Sequence, residues 1–214
     1  EIFETLSKNK LRTFLTGLSV ASGIFILVIL LGFSKGIENG VTSQFQSDAT
    51  NLITIYTGVT SKEYKGLNPG RYIQLKNDNF NTISQKYDDY IEYETSLYSI
   101  WGGLITYKNE TGNYSVRGVM ADHQFIENAD ISLGRFVNQS DSDEFRKVAV
   151  IGNKLKKDLF KDEDPIDKNI TISGMNFKVI GVFHDPGGER EESQAYIPIT
   201  TAQKIFNAGD NIRN

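Results

Sequence analysis

Thr13–Phe33 reads TFLTGLSVASGIFILVILLGF, an uncharged run followed by about 180 mostly polar residues that contain no second run like it. At roughly 1.5 Å per helical residue the run just crosses a bilayer core. Lys8, Lys10 and Arg12 lie immediately before it and only Lys35 lies close behind. That excess of positive charge predicts a cytoplasmic N-terminus and places everything after Phe33 outside. The expected order is a cytoplasmic segment over 1–12, a transmembrane helix over 13–33 and a stalk helix over 34–50. A cleaved signal peptide also begins with basic residues and an apolar run. Here the run is too long for one and no A-x-A-like site follows, so an anchor is expected instead. The chain opens on Glu1 rather than Met, as a fragment would.

Within the span, Thr13, Thr16, Ser19 and Ser22 recur every third residue, and Gly17 and Gly23 lie beside them. Thr16, Ser19 and Gly23 are therefore expected to form a narrow helix-packing face. Small residues let backbones approach closely in lipid, where apolar bulk alone gives no preference for protein over lipid tails. A lone anchor tolerates the same residues. Beyond the span, Phe33, Ile37, Val41 and Phe45 fall four apart and predict an apolar stripe along a helix that continues out of the membrane. Its other face, with Lys35, Glu38, Asn39 and Gln46, is not strongly basic, which favours a stalk over a helix lying on the lipid surface.

The chain carries 23 basic and 27 acidic residues, and the first 33 positions hold three of the basic and two of the acidic ones. The outer part is thus mildly acidic, which excludes a nucleic-acid-binding footprint. Cysteine is absent, so an outer domain in an oxidising compartment relies on its apolar core and can form neither disulfide nor thiolate metal site. Asn-x-Ser/Thr sequons at Asn109, Asn113, Asn138 and Asn169 arise readily in so Asn-rich a chain and do not imply glycosylation.

The outer sequence predicts a mixed α+β domain. Leu52–Tyr56 reads as a short strand, Thr57–Tyr72 as a surface loop and about Asn77–Tyr87 as a helix with Phe80, Ile83 and Tyr87 on one side. Ile91–Ile105 reads as two strand segments broken at Gly102-Gly103. A hairpin turning over Asn109–Gly112 is expected next. Lys147–Ile151 is an apolar strand ended by Gly152, with Asn153 as the expected cap of a helix over Lys154–Phe160. Asn169–Ile172 and Phe177–Phe183 bracket Ser173-Gly174 as a second hairpin. A charged loop, Asp185–Gln194, precedes the strand Ala195–Ile199 and a last helix that starts at Thr200 or Thr201 and runs through Phe206.

No G-x-x-x-x-G-K-[ST], G-x-S-x-G or H-E-x-x-H occurs, so no catalytic, cofactor-binding or metal-binding residues are expected and the chain is read as not an enzyme. His123 and His184 are far apart in sequence and read as ordinary surface or turn residues. Asp141, Asp143 and Glu144 lack the glycine and distal Glu of a calcium loop and read as a solvated loop. Glu189–Glu192, after Gly187-Gly188, reads as a flexible charged connection. Tyr56, Tyr64, Tyr72, Tyr98, Trp101 and Tyr107 offer either an aromatic cleft or ordinary sheet packing.

Three stretches carry a resemblance. Asn9–Thr16 (NKLRTFLT) resembles the entry into a first membrane helix. Arg117-Gly118-Val119, Leu133–Phe136, Val148–Gly152, Leu159-Phe160, Asp164-Pro165-Ile166 and Val179–Val182 follow in a recognisable order. Ala195–Gln203 (AYIPITTAQ) closes the series. Together they are similar to the MacB/FtsX-like ABC transporter permeases with a MacB-type periplasmic core domain, and they cover nearly the whole chain. One departure is Asp167, where that family often has Gly.

The resemblance implies a bacterial inner-membrane protein with its main domain in the periplasm. That domain is expected in two parts, a porter-like subdomain over 51–116 and 195–206 and an inserted β-rich subdomain over 117–192. The implied function is that of the permease of an efflux-type ABC exporter working by mechanotransmission, in which the stalk carries movement driven by cytoplasmic ATP hydrolysis to the outer domain. Implied partners are a cytoplasmic ABC ATPase, fused or separate, that binds the ATP, a second permease copy or paralogue, and a periplasmic adaptor with an outer-membrane channel. Three further membrane helices are expected in the complete permease. A single-pass receptor with a ligand-sensing ectodomain shares the same outline over this region and is the alternative reading.

Overall fold

The apolar run lies inside one unbroken helix, α1 (Lys10–Phe45), of 36 residues. Its length is about 54 Å, well beyond the roughly 30 Å of a bilayer core. The helix is therefore long and apolar enough to cross a membrane and continue beyond it. Two of its hydroxyls bond back to the helix: Thr16 donates to the carbonyl of Arg12, and Ser22 Oγ donates to the Leu18 carbonyl at 2.7 Å. Back-bonding of this kind satisfies a polar group that lipid cannot.

The computed structural model describes residues 10–45 and 51–212, divided near residue 46 into two compact units. Among its described residues the second unit holds nine strands: β1 (Leu75–Lys76), β2 (Tyr98–Tyr107), β3 (Glu110–Val119), β4 (Asp130–Gly134), β5 (Val148–Gly152), β6 (Asn169–Ile172), β7 (Met175–His184), β8 (Gln194–Pro198) and β9 (Asn211–Ile212). Its helices are α2 (Asn77–Tyr87), α3 (His123–Ile126), α4 (Gln139–Asp143), α5 (Asn153–Phe160) and α6 (Ile199–Ile205), with a 3-10 turn at Asp88–Tyr90.

β1 and β9 pair with each other, and the other strands form one seven-stranded sheet in the order β4-β7-β5-β8-β3-β2-β6. β6 also pairs with β7, so six of these strands close into a ring. Closure removes the exposed edges that invite unwanted pairing. β3 runs parallel to β8 and β5 parallel to β7, whereas β5 and β8 are antiparallel. Buried on both faces, β5 and β8 are buried at every position. This is why they read as continuous runs (VAVIG, QAYIP) rather than alternating ones.

One core cluster takes residues from all six ring strands, among them Ile105, Val116, Ile151, Ile172, Phe177 and Ile197. It therefore fills the ring. α5 adds Leu155, Leu159 and Phe160 to it, and α6 adds Ala202. A second cluster of Val119, Ala129, Phe136, Val137, Val150, Phe183 and Tyr196 covers the opposite face.

Several expectations are corrected in position. The first hairpin turns at Lys108-Asn109, with Lys108 at φ 51° and Tyr107 opposite Glu110, so Asn109–Gly112 is not its turn. Ile91–Ile105 yields one strand segment, β2, which keeps pairing through the glycine pair. Gly102 bulges out of register at φ 71°, a backbone conformation that disfavours larger residues. The cap of α5 is Gly152 rather than Asn153, which lies in the first turn. The second hairpin turns at Ser173-Gly174 as expected, both at positive φ.

Leu52–Tyr56 forms no strand, and Ile53 and Tyr56 are largely exposed. Strand propensity is realised through a ladder, and this segment joins none among the described residues. The boundary expected between 116 and 117 falls inside β3, and β8 is paired on one side with β3 and on the other with β5. Strands of both expected parts thus share the one sheet.

Candidate functional site

On α1, Arg12, Thr13, Thr16, Gly17, Val20, Ala21 and Ile24 line one shallow groove. Thr16 belongs to it, whereas Ser19 and Gly23, also expected to pack helices, do not line it. Phe33 and Ile37 lie on the continuous part of the same helix and are more than half exposed. Val41 and Phe45 also lie on α1, but their side chains fall outside the described ones, as does the end of the expected stalk at 46–50.

The sequence reading missed a second row on this helix: Gly32, Gly36 and Gly40 recur every four residues. A Cβ at any of the three would meet nothing within 4 Å. Glycine costs about 1 kcal/mol in a helix interior relative to alanine. Three on one face flatten the helix where the expected stalk begins. The period-four spacing was the available signal.

In the acidic cluster at residues 141–144, Asp143 and Glu144 are exposed, as a solvated loop expects, but Asp141 is not. Asp141 is fully buried in α4. Asn138 caps the helix by accepting from the Asp141 amide at 3.0 Å, and its own amide donates back to Asp141 Oδ2 at 3.1 Å. Arg135 donates to both carboxylate oxygens, at 2.5 and 3.0 Å, and Arg146 donates to Oδ1 at 3.4 Å. Burial pushes the Asp141 carboxyl up, but the Arg135 hydrogen bonds, the Asn138 amide and Arg146 outweigh it and hold the group below its usual range. Asp141 is thus the anchor of two arginines.

His123 and Tyr196 are also interior, contrary to the surface reading of the histidine. His123 is fully buried, neither ring nitrogen has a hydrogen-bond partner, and the ring meets Tyr196 edge-on at 5.0 Å between centroids. Burial, aided by the nearby Arg117 charge, pushes its pKa down to about 3, so the imidazole is neutral. The Tyr196 hydroxyl is buried and unpartnered too, and burial raises its pKa. Among the described residues the pair is held by ring packing rather than by hydrogen bonds.

The expected flexible loop 185–194 is tied down at both ends. Asp185 and Glu192 are buried, Asp185 Oδ1 accepts from the Gly187 amide at 2.7 Å, and the half-exposed His184 ring pairs with Glu192. The Glu192 carbonyl lies so close to Gly152 that a Cβ there would sit 2.0 Å from it. The tyrosines do not converge on a cleft: Tyr56, Tyr64 and Tyr72 are exposed while Tyr107 is buried against Phe160. The Trp101 side chain falls outside those described. Among the described residues, no group of three His, Asp or Glu is arranged to hold a metal ion.

A family model described as the MacB-like periplasmic core domain matches residues 13–214. The chain belongs to this family. The macrolide export ATP-binding/permease protein MacB of Bdellovibrio bacteriovorus is 28% identical over 203 residues, covering 94% of this chain and 31% of that protein. The MacB of Chlorobaculum tepidum is 29% identical over 210 residues with the same two coverages. The chain therefore spans about a third of the length of these MacB relatives.

The crystal structure of the periplasmic region of MacB from Actinobacillus actinomycetemcomitans superposes with a TM-score of 0.59 at 23% identity, over 79% of this chain and 74% of that one. The extracellular domain of the noncanonic ABC-type transporter YknZ from Gram-positive bacteria superposes with a TM-score of 0.54 at 18% identity, over 65% of this chain and 70% of that one. The MacB-like chain thus pairs a helix long and apolar enough to cross a membrane with a mixed α/β domain of the MacB-like periplasmic core type, as its sequence motifs imply. The matched names describe transporter permeases, in proteins that also carry ATP-binding function.

Proposed function

We propose that this chain is the first membrane helix and the outer domain of the permease of an ABC exporter, working by mechanotransmission rather than by conduction through the lipid. In this reading residues 1–12 face the cytoplasm, α1 crosses the bacterial inner membrane and the second unit stands in the periplasm. The charge bias of Lys8, Lys10 and Arg12 over Lys35 supports that orientation. The observation that carries the reading is the unbroken course of α1 from Lys10 to Phe45, past the end of the apolar run, in a chain of the MacB-like family. A continuous hydrogen-bonded helix passes displacement along its axis without hinging, which a coupling stalk needs.

The reading assigns the export of compounds such as macrolides, named for its relatives, to the whole protein. ATP is bound by an ABC ATPase, fused or separate. A second permease copy or paralogue packs against α1 through the small-residue faces at Thr16, Ser19 and Gly23, and a periplasmic adaptor and outer-membrane channel complete the path. The test uses the complete gene product, coexpressed with its ATPase in membranes and carrying single cysteines at Ile37 or Val41. Copurification of the ATPase and ATP-dependent crosslinking between stalks are the expected results. No association, with crosslinking indifferent to ATP, refutes the reading and turns attention to a receptor.

A further inference from the structure

A groove of about 560 Å³ lies on the second unit between the end of β4, the entry to β5, β7 and the segment that follows α5. Its lining joins four cations, Arg135, Arg146, Lys147 and Lys178, to one carboxylate, Asp167, and to an apolar floor of Val148, Ile166 and Ile180. This is a reversal of sign in a chain whose net charge is −4. The cations come from separate segments that the fold gathers. The Lys178 amide donates to the Lys147 carbonyl at 2.9 Å, and Val148 stands opposite Lys178 in the β5–β7 register.

The rim is built rather than accidental. Buried Asp141 holds the guanidiniums of Arg135 and Arg146, which stay 43% exposed. Asp141 and Glu144 offset part of the arginine charge from behind. The lysines keep theirs: Lys147 forms no ion pair among the described residues, and Lys178 meets only Asp167, at 3.5 Å and 78% exposed. An exposed pair at that separation is worth little and gives way readily to a better acceptor.

We propose that this groove is the docking site for an acidic, extended peptide segment of a partner protein, in which carboxylates alternate with aliphatic side chains. The carboxylates meet the rim, and Arg135 and Arg146 offer the donor geometry that carboxylates favour. The aliphatic side chains meet Val148, Ile166 and Ile180. A free phosphate makes no use of that floor. A flat lipid surface requires a protruding basic face, whereas these cations surround a concavity. The proposal stands on the groove alone and does not depend on the export reading.

The experiment uses the full chain in nanodiscs of zwitterionic lipid, with a fluorescein-labelled peptide of alternating Glu and Leu as the probe and fluorescence anisotropy as the readout. Binding that weakens with added salt is expected. The double variant Lys147→Glu/Lys178→Glu is expected to weaken it about tenfold or more, since two rim attractions become repulsions. Lys147→Gln/Lys178→Gln should fall between. Lys62→Glu/Lys157→Glu, exposed and outside the groove, should bind like the parent, and circular dichroism checks that all four chains fold alike. Equal binding by parent and groove variants overturns the proposal. Full displacement by inorganic phosphate, or groove-dependent binding to phosphatidylglycerol vesicles, also overturns it by assigning the site to a simple anion or a headgroup.

Discussion

Acidification should destabilise the outer unit through His123, and removing that one side chain should remove the effect. The folded pKa is about 3, because the ring is fully buried and Arg117 is near. Released into water on unfolding, the imidazole returns to about 6.5. Between these values the unfolded chain binds a proton that the folded chain does not. Its contribution is therefore complete above about pH 6.5 and is lost as pH falls, by about 1.4 kcal/mol per unit until the folded pKa is reached.

From pH 7.5 to pH 5 the expected loss from this group is about 2 kcal/mol, a thirtyfold rise in the unfolded fraction. The assay is amide hydrogen exchange on the full chain in nanodiscs at both pH values, after correction for intrinsic exchange, read at Val150, Ala195 and Tyr196 in β5 and β8. His123→Leu preserves apolar packing against Tyr196 and has nothing to titrate. Other acid-sensitive groups, Asp141 among them, contribute equally to both chains, so the difference between the two slopes isolates His123. A variant with the same pH slope as the parent refutes the reasoning.

Tyr196→Phe removes a buried hydroxyl that has no partner, so it is expected to leave stability unchanged or raise it by about 1 kcal/mol. A clear loss in urea unfolding sinks that expectation. Gly152→Ala drives a methyl into the Glu192 carbonyl at 2.0 Å, and should cost about 2 kcal/mol or more while loosening the 185–193 loop to limited proteolysis. Asp141→Asn retains a side chain able to accept from the Asn138 amide but loses the charge between two arginines. It should lower stability by about 1–3 kcal/mol at neutral pH and flatten the acid limb of the stability curve, since the folded Asp141 carboxyl titrates below its unfolded range. An acid limb unchanged from the parent shows that Asp141 is not its source.

Much of the fold is written locally. The run Thr13–Phe33 marked a helix long and apolar enough to cross a membrane, since a helix satisfies its own backbone polar groups where lipid cannot. The period-four apolar stripe beyond it marked the continuation to Phe45. α2 at Asn77–Tyr87, the turn at Ser173-Gly174 and the doubly buried β5 and β8 all follow from short-range pattern and turn chemistry. The ordered motifs also implied the family, which the match over residues 13–214 bears out.

What the sequence withheld depends on which residues the fold brings together and buries. Leu52–Tyr56 has strand propensity but joins no ladder among the described residues, and propensity without a ladder does not make a strand. Asp141 and Glu192 look solvated in sequence because a charge pattern does not show which groups are buried or paired; their partners Arg135, Arg146 and His184 lie only five to eight residues away and meet them once the local turns are folded. His123 is polar in type and interior in fact, placed there by its packing against β8. The basic groove is likewise absent from any one stretch. β5 and β7 are separated in the chain by α5 and β6, and their parallel pairing brings Lys147 beside Lys178. Patterns with a period of two or four residues are fixed by backbone geometry and can be read from sequence. Which charges meet is decided by long-range strand pairing, and only the tertiary structure decides that.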